Sequence, residues 1–314
     1  MTGGREGSLA TLLAGLSGGG TTTGAVANLL ERATRHPREL VRAVPTATLA
    51  VSVTGPVCHQ RCTHCEGHYL RGMKTLADLG PAAVTAASSL LISGGSLSSG
   101  EVPLADHLDA ILALPPDLPL NLHVGLQDGD RLAALRGRKV TVSFDLVGDD
   151  ATAREVFRLD RPAADWWRAY EALQRLFPVI PHLTIGLRGG ILSGERAVLR
   201  FLADRPPPPA LTFLVFRPTP HTPLADRLPP APLAAAELIA EAAGRLDCPL
   251  HLGCMRPAGD WRRRFDPLAW AAGARTIVMP DRRLVAALRQ TGLPVRDHRE
   301  CCSLPAREVT DAAS

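Results

Sequence analysis

The chain has 314 residues and a formal net charge of +4, a length that suits one α/β barrel as well as two smaller domains. No apolar run approaches the roughly 20 residues that span a bilayer, and the start of the chain has no basic, apolar and cleavable signal segment, so we expect a cytoplasmic protein without a membrane partner. The basic run 262–264 lies in no wider basic stripe, which argues against a nucleic-acid partner.

The chain divides into a Gly- and Thr-rich segment, a helical lead-in, an alternating region and a tail. We expect a flexible N-terminus at 1–24 and a helical lead-in at 25–44, where an imperfect helical pattern is interrupted near Pro37. Short apolar runs then alternate with helical patterns, which indicates βα units and a parallel sheet. The predicted fold class is therefore α/β, a (βα)₈ TIM-type barrel or partial barrel at 45–292 with a C-terminal cysteine tail at 293–314.

Eight strands and eight helices are predicted in the alternating region. The strands are 47–53, 89–93, 119–124, 139–146, 182–187, 211–217, 249–253 and 275–279. The helices are 75–87, 101–113, 129–136, 165–177, 194–203, 231–245, 260–272 and 281–290. Because functional residues of such barrels lie at the carboxyl ends of the strands, the site should be sought there.

Three cysteines with CxxxCxxC spacing follow the first predicted strand of the barrel: Cys58, Cys62 and Cys65. Three thiolates from one short loop suit a [4Fe–4S] cluster that keeps one iron open for a substrate. The alternative is a structural zinc site completed by a neighbouring histidine, His59, His64 or His68. An odd number of cysteines and the missing secretory signal make a disulfide the weaker interpretation.

This loop resembles the signature of the radical S-adenosylmethionine (SAM) superfamily. The resemblance implies that Cys58, Cys62 and Cys65 are the catalytic cluster ligands, and that SAM binds the open iron and is cleaved by one electron to methionine and a 5′-deoxyadenosyl radical. The residue before the last cysteine is usually aromatic in that family and packs near the adenine. His64 holds this position here.

The same resemblance implies further SAM contacts at later strand ends. Ser93, Gly94 and Gly95 resemble the family's GGE motif, although Ser96 replaces the acid. Ser143 and Asp145 alternate along the fourth strand and should face the lumen, where the family often contacts the ribose or carboxylate. Arg188 could pair with a carboxylate. The alternatives, a Gly-rich turn and an Asp that caps a turn, stay open.

Four cysteines remain outside this loop. Cys248 should be an ordinary buried thiol, whereas Cys254 follows the seventh predicted strand and Cys301 and Cys302 lie in the tail. A tail folded back across the carboxyl rim would bring these last three together on an auxiliary Fe–S cluster, with Ser303 or Arg256 as a fourth ligand. Free thiols, a redox disulfide and a zinc site are the alternatives.

A finer resemblance is to the biotin-synthase-like component of the two-protein lipoyl synthase. It rests on ISGG at 92–95, RPTP at 217–220, LGCMRP at 252–257 and CCS at 301–303, and departs at His221, where Gly is expected. It implies sulfur insertion into an octanoyl chain on a lipoyl carrier protein or domain, inside an apolar lumen. The implied partners are a second radical SAM component and a ferredoxin or flavodoxin.

Two broader interpretations stay open beside the lipoyl synthase one. The first is another radical SAM reaction, either biotin-synthase-like sulfur insertion or methylthiolation on a different substrate. The second is a non-enzymatic, zinc-binding structural or interaction protein.

Overall fold

The computed structural model describes residues 3–304, in which eleven strands form one parallel sheet. The strands are β1 (Leu40–Ala43), β2 (Thr48–Ser52), β3 (Lys74–Thr75), β4 (Ser89–Ser93), β5 (Leu120–His123), β6 (Val140–Asp145), β7 (Val179–Ile185), β8 (Leu211–Val215), β9 (Leu250–Leu252), β10 (Ala274–Val278) and β11 (Val295–His298). The strand order is β11-β1-β10-β9-β8-β7-β6-β5-β4-β2-β3. The sheet thus forms an open barrel of parallel strands, which confirms the predicted α/β barrel or partial barrel.

Ten α-helices accompany this sheet in the described part of the chain. They are α1 (Gly3–Ser17), α2 (Thr23–Arg32), α3 (Pro81–Ala86), α4 (Leu108–Leu112), α5 (Asp150–Glu155), α6 (Ala163–Gln174), α7 (Glu195–Ala203), α8 (Pro232–Arg245), α9 (Gly259–Ala271) and α10 (Arg282–Gln290). Short 3₁₀ helices occupy His68–Gly72, Leu76–Asp78, Leu104–His107 and Gly129–Leu135. None of the helices among residues 3–304 is both long and apolar enough to cross a bilayer.

All eight predicted strands are present, as β2 and β4 to β10, and three short strands are additional. Along β5 the apolar Leu120 and Leu122 are fully buried in the core, whereas Asn121 and His123 alternate with them and face the lumen. The apolar outer face of the sheet therefore packs against the helices. The inner face is polar along this strand.

The N-terminal segment predicted to be flexible contains a helix instead. Ala10 and Leu13 of α1 are fully buried in the main core, where α1 packs against α2 and α9. Thr22 caps the next helix, because its hydroxyl accepts a hydrogen bond from the Ala25 backbone N–H (3.1 Å). Despite its Gly-rich composition, the segment thus has a small apolar face, and packing against other helices stabilises it.

A fully buried ion pair ties the segment after β9 to α9. The Arg256 Nε and Nη2 atoms donate to the two Asp266 carboxylate oxygens at 2.9 and 3.0 Å, and both side chains have no exposed surface. Arg256 also donates to the carbonyls of Gly253 (2.8 Å) and Met279 (3.3 Å). Because its donors are taken by these partners, the prediction of Arg256 as a cluster ligand is wrong.

Replacing Asp266 with Ala should destabilise the protein strongly, because it leaves the Arg256 charge buried and unpaired. We expect the free energy of unfolding to fall by about 3–5 kcal/mol, measured by chemical denaturation. Asp260→Ala is the control: its pair with Arg263 is exposed, at 3.4 Å, and should change stability by less than about 1 kcal/mol. Equal effects of the two substitutions would contradict the importance of the buried pair.

Candidate functional site

The three-cysteine loop lies at the carboxyl end of β2 and is held by neighbouring backbone. The Ser96 carbonyl, beyond the end of β4, accepts hydrogen bonds from the backbone N–H groups of His59 (3.0 Å) and Gln60 (3.1 Å). The Gln60 side-chain amide donates to the Phe157 carbonyl, which follows α5, at 2.9 Å. The loop is thus fastened to the segments that follow two other strands of the barrel, in the position predicted from the sequence.

The chain reverses directly after Cys65. Glu66 and Gly67 have positive φ angles of 45° and 76°, and this conformation is costly for Glu66. The Glu66 carboxylate accepts hydrogen bonds from Arg61 (2.7 Å) and Arg158 (2.9 Å). These two ion pairs hold the strained residue in place and fix the end of the loop.

The sulfur atoms of the loop interact with one another. Contact with the Cys62 thiol lowers the pKa of Cys65 to about 4, although burial opposes this shift, and the charge of His64 lowers it further. Contact with Cys65, burial and the charge of Cys58 raise the pKa of Cys62. Three cysteine sulfurs that interact at one place form a donor set that fits an iron–sulfur cluster, which binds them as thiolates.

A single zinc ion would require the ligand atoms of this loop to lie close together. With Zn–S bonds of about 2.3 Å, the ligand atoms of a single zinc ion lie roughly 4 Å apart. Within residues 3–304, the one set of three or more metal-ligand atoms that all lie within 4.8 Å of one another is elsewhere in the lumen. In the described part of the chain, the three cysteines and their neighbouring histidines are therefore not arranged as a zinc shell of this size.

Gly95 packs directly against the start of the cysteine loop, and Gly94 packs against the residues just before it. The Gly95 backbone N–H donates to Thr54 Oγ1 at 2.7 Å. A Cβ atom on Gly95 would lie 1.9 Å from the Val57 carbonyl oxygen and 2.5 Å from Cys58 Cα. Only glycine fits this approach. The two glycines thus have a structural reason for their presence, beside the SAM contact that the sequence predicts for them and for Ser93.

Of the other predicted SAM residues, His64 belongs to the cysteine loop and Asp145 lies close to it. Burial acts to lower the pKa of His64, but the negative charges of Cys65 and Asp145 outweigh it, so the pKa is raised. The His64 ring packs edge-on against Phe157 with a centroid distance of 6.1 Å. Asp145, at the end of β6, is therefore near the loop, and its side chain is 37% exposed. Its contact with SAM stays a prediction.

Arg188 and Ser143 have protein partners in this structure. The Arg188 guanidinium donates to the Glu155 carboxylate through its Nε and Nη2 atoms at 2.7–3.0 Å. A SAM carboxylate would therefore have to compete with Glu155 for Arg188. Ser143 donates to Asn121 Oδ1 at 2.8 Å, deeper in the lumen. The inward direction predicted for Ser143 is correct, but its contact is with the neighbouring strand. Its role toward SAM stays a prediction.

The C-terminal tail closes the amino end of the barrel, so the prediction that it folds back across the carboxyl rim is wrong. The buried Glu300 carboxylate accepts hydrogen bonds from Thr48 (3.0 Å) and Ser89 (2.5 Å), the first residues of β2 and β4. The Cys301 backbone N–H donates to Thr48 Oγ1 at 2.7 Å. The reason is the parallel pairing of β11 with β1, which delivers the following residues to the start of β2.

From the amino end of the barrel, the two tail cysteines still approach Cys254, the third cysteine of the predicted auxiliary site. Cys301 Sγ accepts a hydrogen bond from Asn121 Nδ2 at 3.4 Å. Contact with Cys301 and burial raise the pKa of Cys302, and the charge of Cys254 contributes to this shift. Cys254 itself is exposed and follows β9 at the carboxyl end. The three thiols therefore approach each other from opposite ends of the lumen.

A pair of histidines in the lumen is absent from the sequence-based site. His123 Nε2 lies 3.2 Å from His182 Nδ1, and Asp145 Oδ1 lies 3.9 Å from the same nitrogen. Burial lowers the pKa of His182 well below its usual value, and the charges of His123 and His251 act in the same direction. The sequence signal that could have revealed this pair is that both histidines occupy inward-facing positions in their strands. The expectation of an apolar lumen is therefore wrong at this depth.

The fold and these residues define an α/β protein with an open parallel barrel and a three-cysteine loop at the carboxyl end of its first long strand. The fold is similar to that of methylornithine synthase (PylB), with a TM-score of 0.59 over 92% of this chain and 93% of that chain, at 13% sequence identity. No protein-family model and no curated protein sequence matches the chain. At this identity, the similarity establishes the fold.

Replacing Gly95 with Ala should displace the cysteine loop, because the new Cβ would collide with backbone atoms of Val57 and Cys58. We expect the iron content of anaerobically purified protein to fall to a small fraction of the wild-type value. Gly72→Ala is the matched control, since a Cβ there meets nothing within 4 Å. Wild-type iron content in Gly95→Ala would show that the loop does not need this close approach.

Proposed function

We propose that the protein is a radical SAM enzyme. The observation that carries this proposal is the CxxxCxxC loop at the carboxyl end of β2, with three interacting thiols and the Gly94-Gly95 turn packed beneath it. The open parallel barrel, a fold similar to that of methylornithine synthase, presents this loop at the carboxyl ends of its strands. The CxxxCxxC sequence spacing, with three cysteines on one loop and no second pair after it, favours it over a zinc-binding interaction protein.

In this proposal, Cys58, Cys62 and Cys65 hold a [4Fe–4S] cluster and leave one iron without a protein ligand. The bound cluster would supply the electron that cleaves SAM. Backbone groups of Gly94 and Gly95, which directly adjoin the loop, would bind the SAM amino group. His64 would line the adenine side of the site, where its ring already packs against Phe157.

For the reaction itself, we propose sulfur insertion into an unactivated C–H bond, with Cys254, Cys301 and Cys302 as ligands of an auxiliary Fe–S cluster. The bound auxiliary cluster would be the source of the sulfur atom. The contact of Cys301 with Cys302, and the effect of the Cys254 charge on the pKa of Cys302, support the proposal. Asn121 would orient Cys301 through its hydrogen bond to the sulfur. No fourth ligand is proposed, since the donors of Arg256 bind Asp266 and the Ser303 hydroxyl contacts His182.

The substrate that we propose is an octanoyl chain on a lipoyl carrier protein or domain, in a two-protein lipoyl synthase. This rests on the resemblance carried by the motifs at 92–95, 217–220, 252–257 and 301–303. The proposed partners are accordingly a second radical SAM component and a ferredoxin or flavodoxin. A different radical SAM substrate is the second candidate, and the polar His123, Asp145 and His182 side chains in the lumen favour it.

Cys58→Ala should abolish the formation of 5′-deoxyadenosine from SAM under dithionite, because the cluster loses one of its three protein ligands. The nucleoside is measured by chromatography, together with iron per chain. Cys248→Ala is the control: it removes a buried thiol outside both cysteine sets and should retain full activity. A colourless wild-type protein with one zinc per chain would contradict the enzyme proposal.

Cys301→Ala should separate radical formation from sulfur transfer. With an octanoyl-lysine peptide deuterated along the chain and the companion component, the wild-type protein should transfer deuterium to 5′-deoxyadenosine and add sulfur detectable by mass. The variant should still form 5′-deoxyadenosine but yield no thiolated peptide. Wild-type sulfur yield from the variant contradicts the auxiliary cluster. Deuterium transfer from another substrate, with none from octanoyl, contradicts the lipoyl proposal.

A further inference from the structure

Three side chains in the lumen form a compact set of metal-ligand atoms. The proposed reaction assigns no common role to these three side chains. The ligand atoms of His123, Asp145 and His182 all lie within 4.8 Å of one another. We propose that these three residues bind one divalent transition-metal ion, such as iron(II) or manganese(II). This site goes beyond the proposed function and does not depend on it.

The three ligands come from adjacent strands and not from loops. His123 is the last residue of β5, Asp145 is the last residue of β6, and His182 lies within β7. The sheet register places His123 beside Ser143 and Asp145 beside His182. Their side chains therefore share the inner face of three neighbouring strands, a rigid support of the kind that a metal site requires.

The distances fit a single ion with little rearrangement. Metal–nitrogen and metal–oxygen bonds of about 2.0–2.2 Å place neighbouring ligand atoms roughly 3–3.5 Å apart. The His123 Nε2 to His182 Nδ1 distance is 3.2 Å, and the Asp145 Oδ1 to His182 Nδ1 distance is 3.9 Å. A small rotation of the Asp145 side chain would complete the set.

An outer contact independently fixes the orientation of His182. Its second ring nitrogen, Nε2, lies 3.1 Å from the Ser303 hydroxyl at the base of the lumen. Histidine ligands of metals are commonly held in this way by a partner on the other ring nitrogen. The contact directs His182 Nδ1 toward His123 and Asp145.

The composition of the set indicates the class of ion and its use. Two imidazoles and one carboxylate, with coordination positions left open, are typical of non-haem iron(II) sites. Asp145 is close enough to His64, and His123 to Cys301, for electrostatic contact, so the set lies between the two groups of cysteines. The open positions would therefore take an oxygen donor of a substrate held between them. Asp145 would then bind the ion and not SAM.

The test is a manganese(II) titration of the chelator-washed, anaerobically purified protein, with free Mn²⁺ measured by electron paramagnetic resonance. Mn²⁺ prefers oxygen and nitrogen ligands and so avoids the cysteine sets. We expect one bound ion per chain. Ser303→Ala should weaken binding roughly 10–100-fold, and Asp145→Asn and His182→Ala should weaken it more. His221→Ala, in an exposed loop, is the control and should bind as the wild type does.

Because His182 is buried, the Asp145→Asn variant is the more informative one: the substitution keeps the shape of a partly exposed side chain, and an unchanged melting temperature checks the fold. The absence of Mn²⁺ binding by the wild type, or wild-type affinity in Asp145→Asn, overturns the proposal and leaves a hydrogen-bonded histidine pair. The measurement involves no SAM cleavage, so the outcome is separable from that of the proposed enzymatic function.

Discussion

The inner face of the barrel carries polar side chains that need partners, and the C-terminal segment supplies them at the amino end. Glu300 accepts hydrogen bonds from Thr48 and Ser89, Cys301 accepts one from Asn121, and Ser303 contacts His182. A buried polar group without such a partner costs about 1–3 kcal/mol, so several contacts of this kind fix one arrangement of the segment. The carboxyl end of the lumen is left for ligands.

Two cysteine sets thereby reach a common space by different routes. Cys58, Cys62 and Cys65 come from one loop whose position follows from local sequence and from the glycine turn beneath it. Cys301 and Cys302 reach the lumen because of the β11–β1 pairing, whose members are about 255 residues apart along the chain. Partial burial is the main cause of the raised pKa of Tyr69, and the charges of Cys65 and Cys254, one from each set, add to it.

The strands and the first cysteine loop were predictable because their signals are local. Apolar runs such as Leu90–Ile92 indicate buried strands, and the spacing of Cys58, Cys62 and Cys65 fixes their common loop. The direction of the tail was not predictable, since it depends on the pairing of Val295–His298 with β1. The ion pair between Arg256 and Asp266 was equally unpredictable, because Asp266 lies ten residues further along the chain, on a helix, and belongs to no distinctive motif.

The route of the tail also sets an order for assembly of the interior. A ribosome completes β10 and α10 before Glu300 to Ser303, so the barrel can begin to fold around a lumen that still lacks its base. Cys301 and Cys302 then enter a largely formed compartment as its last components. The cysteine loop after β2 is synthesised much earlier. Assembly of the interior is therefore expected to be sequential, with the first cysteine set in place before the second is synthesised.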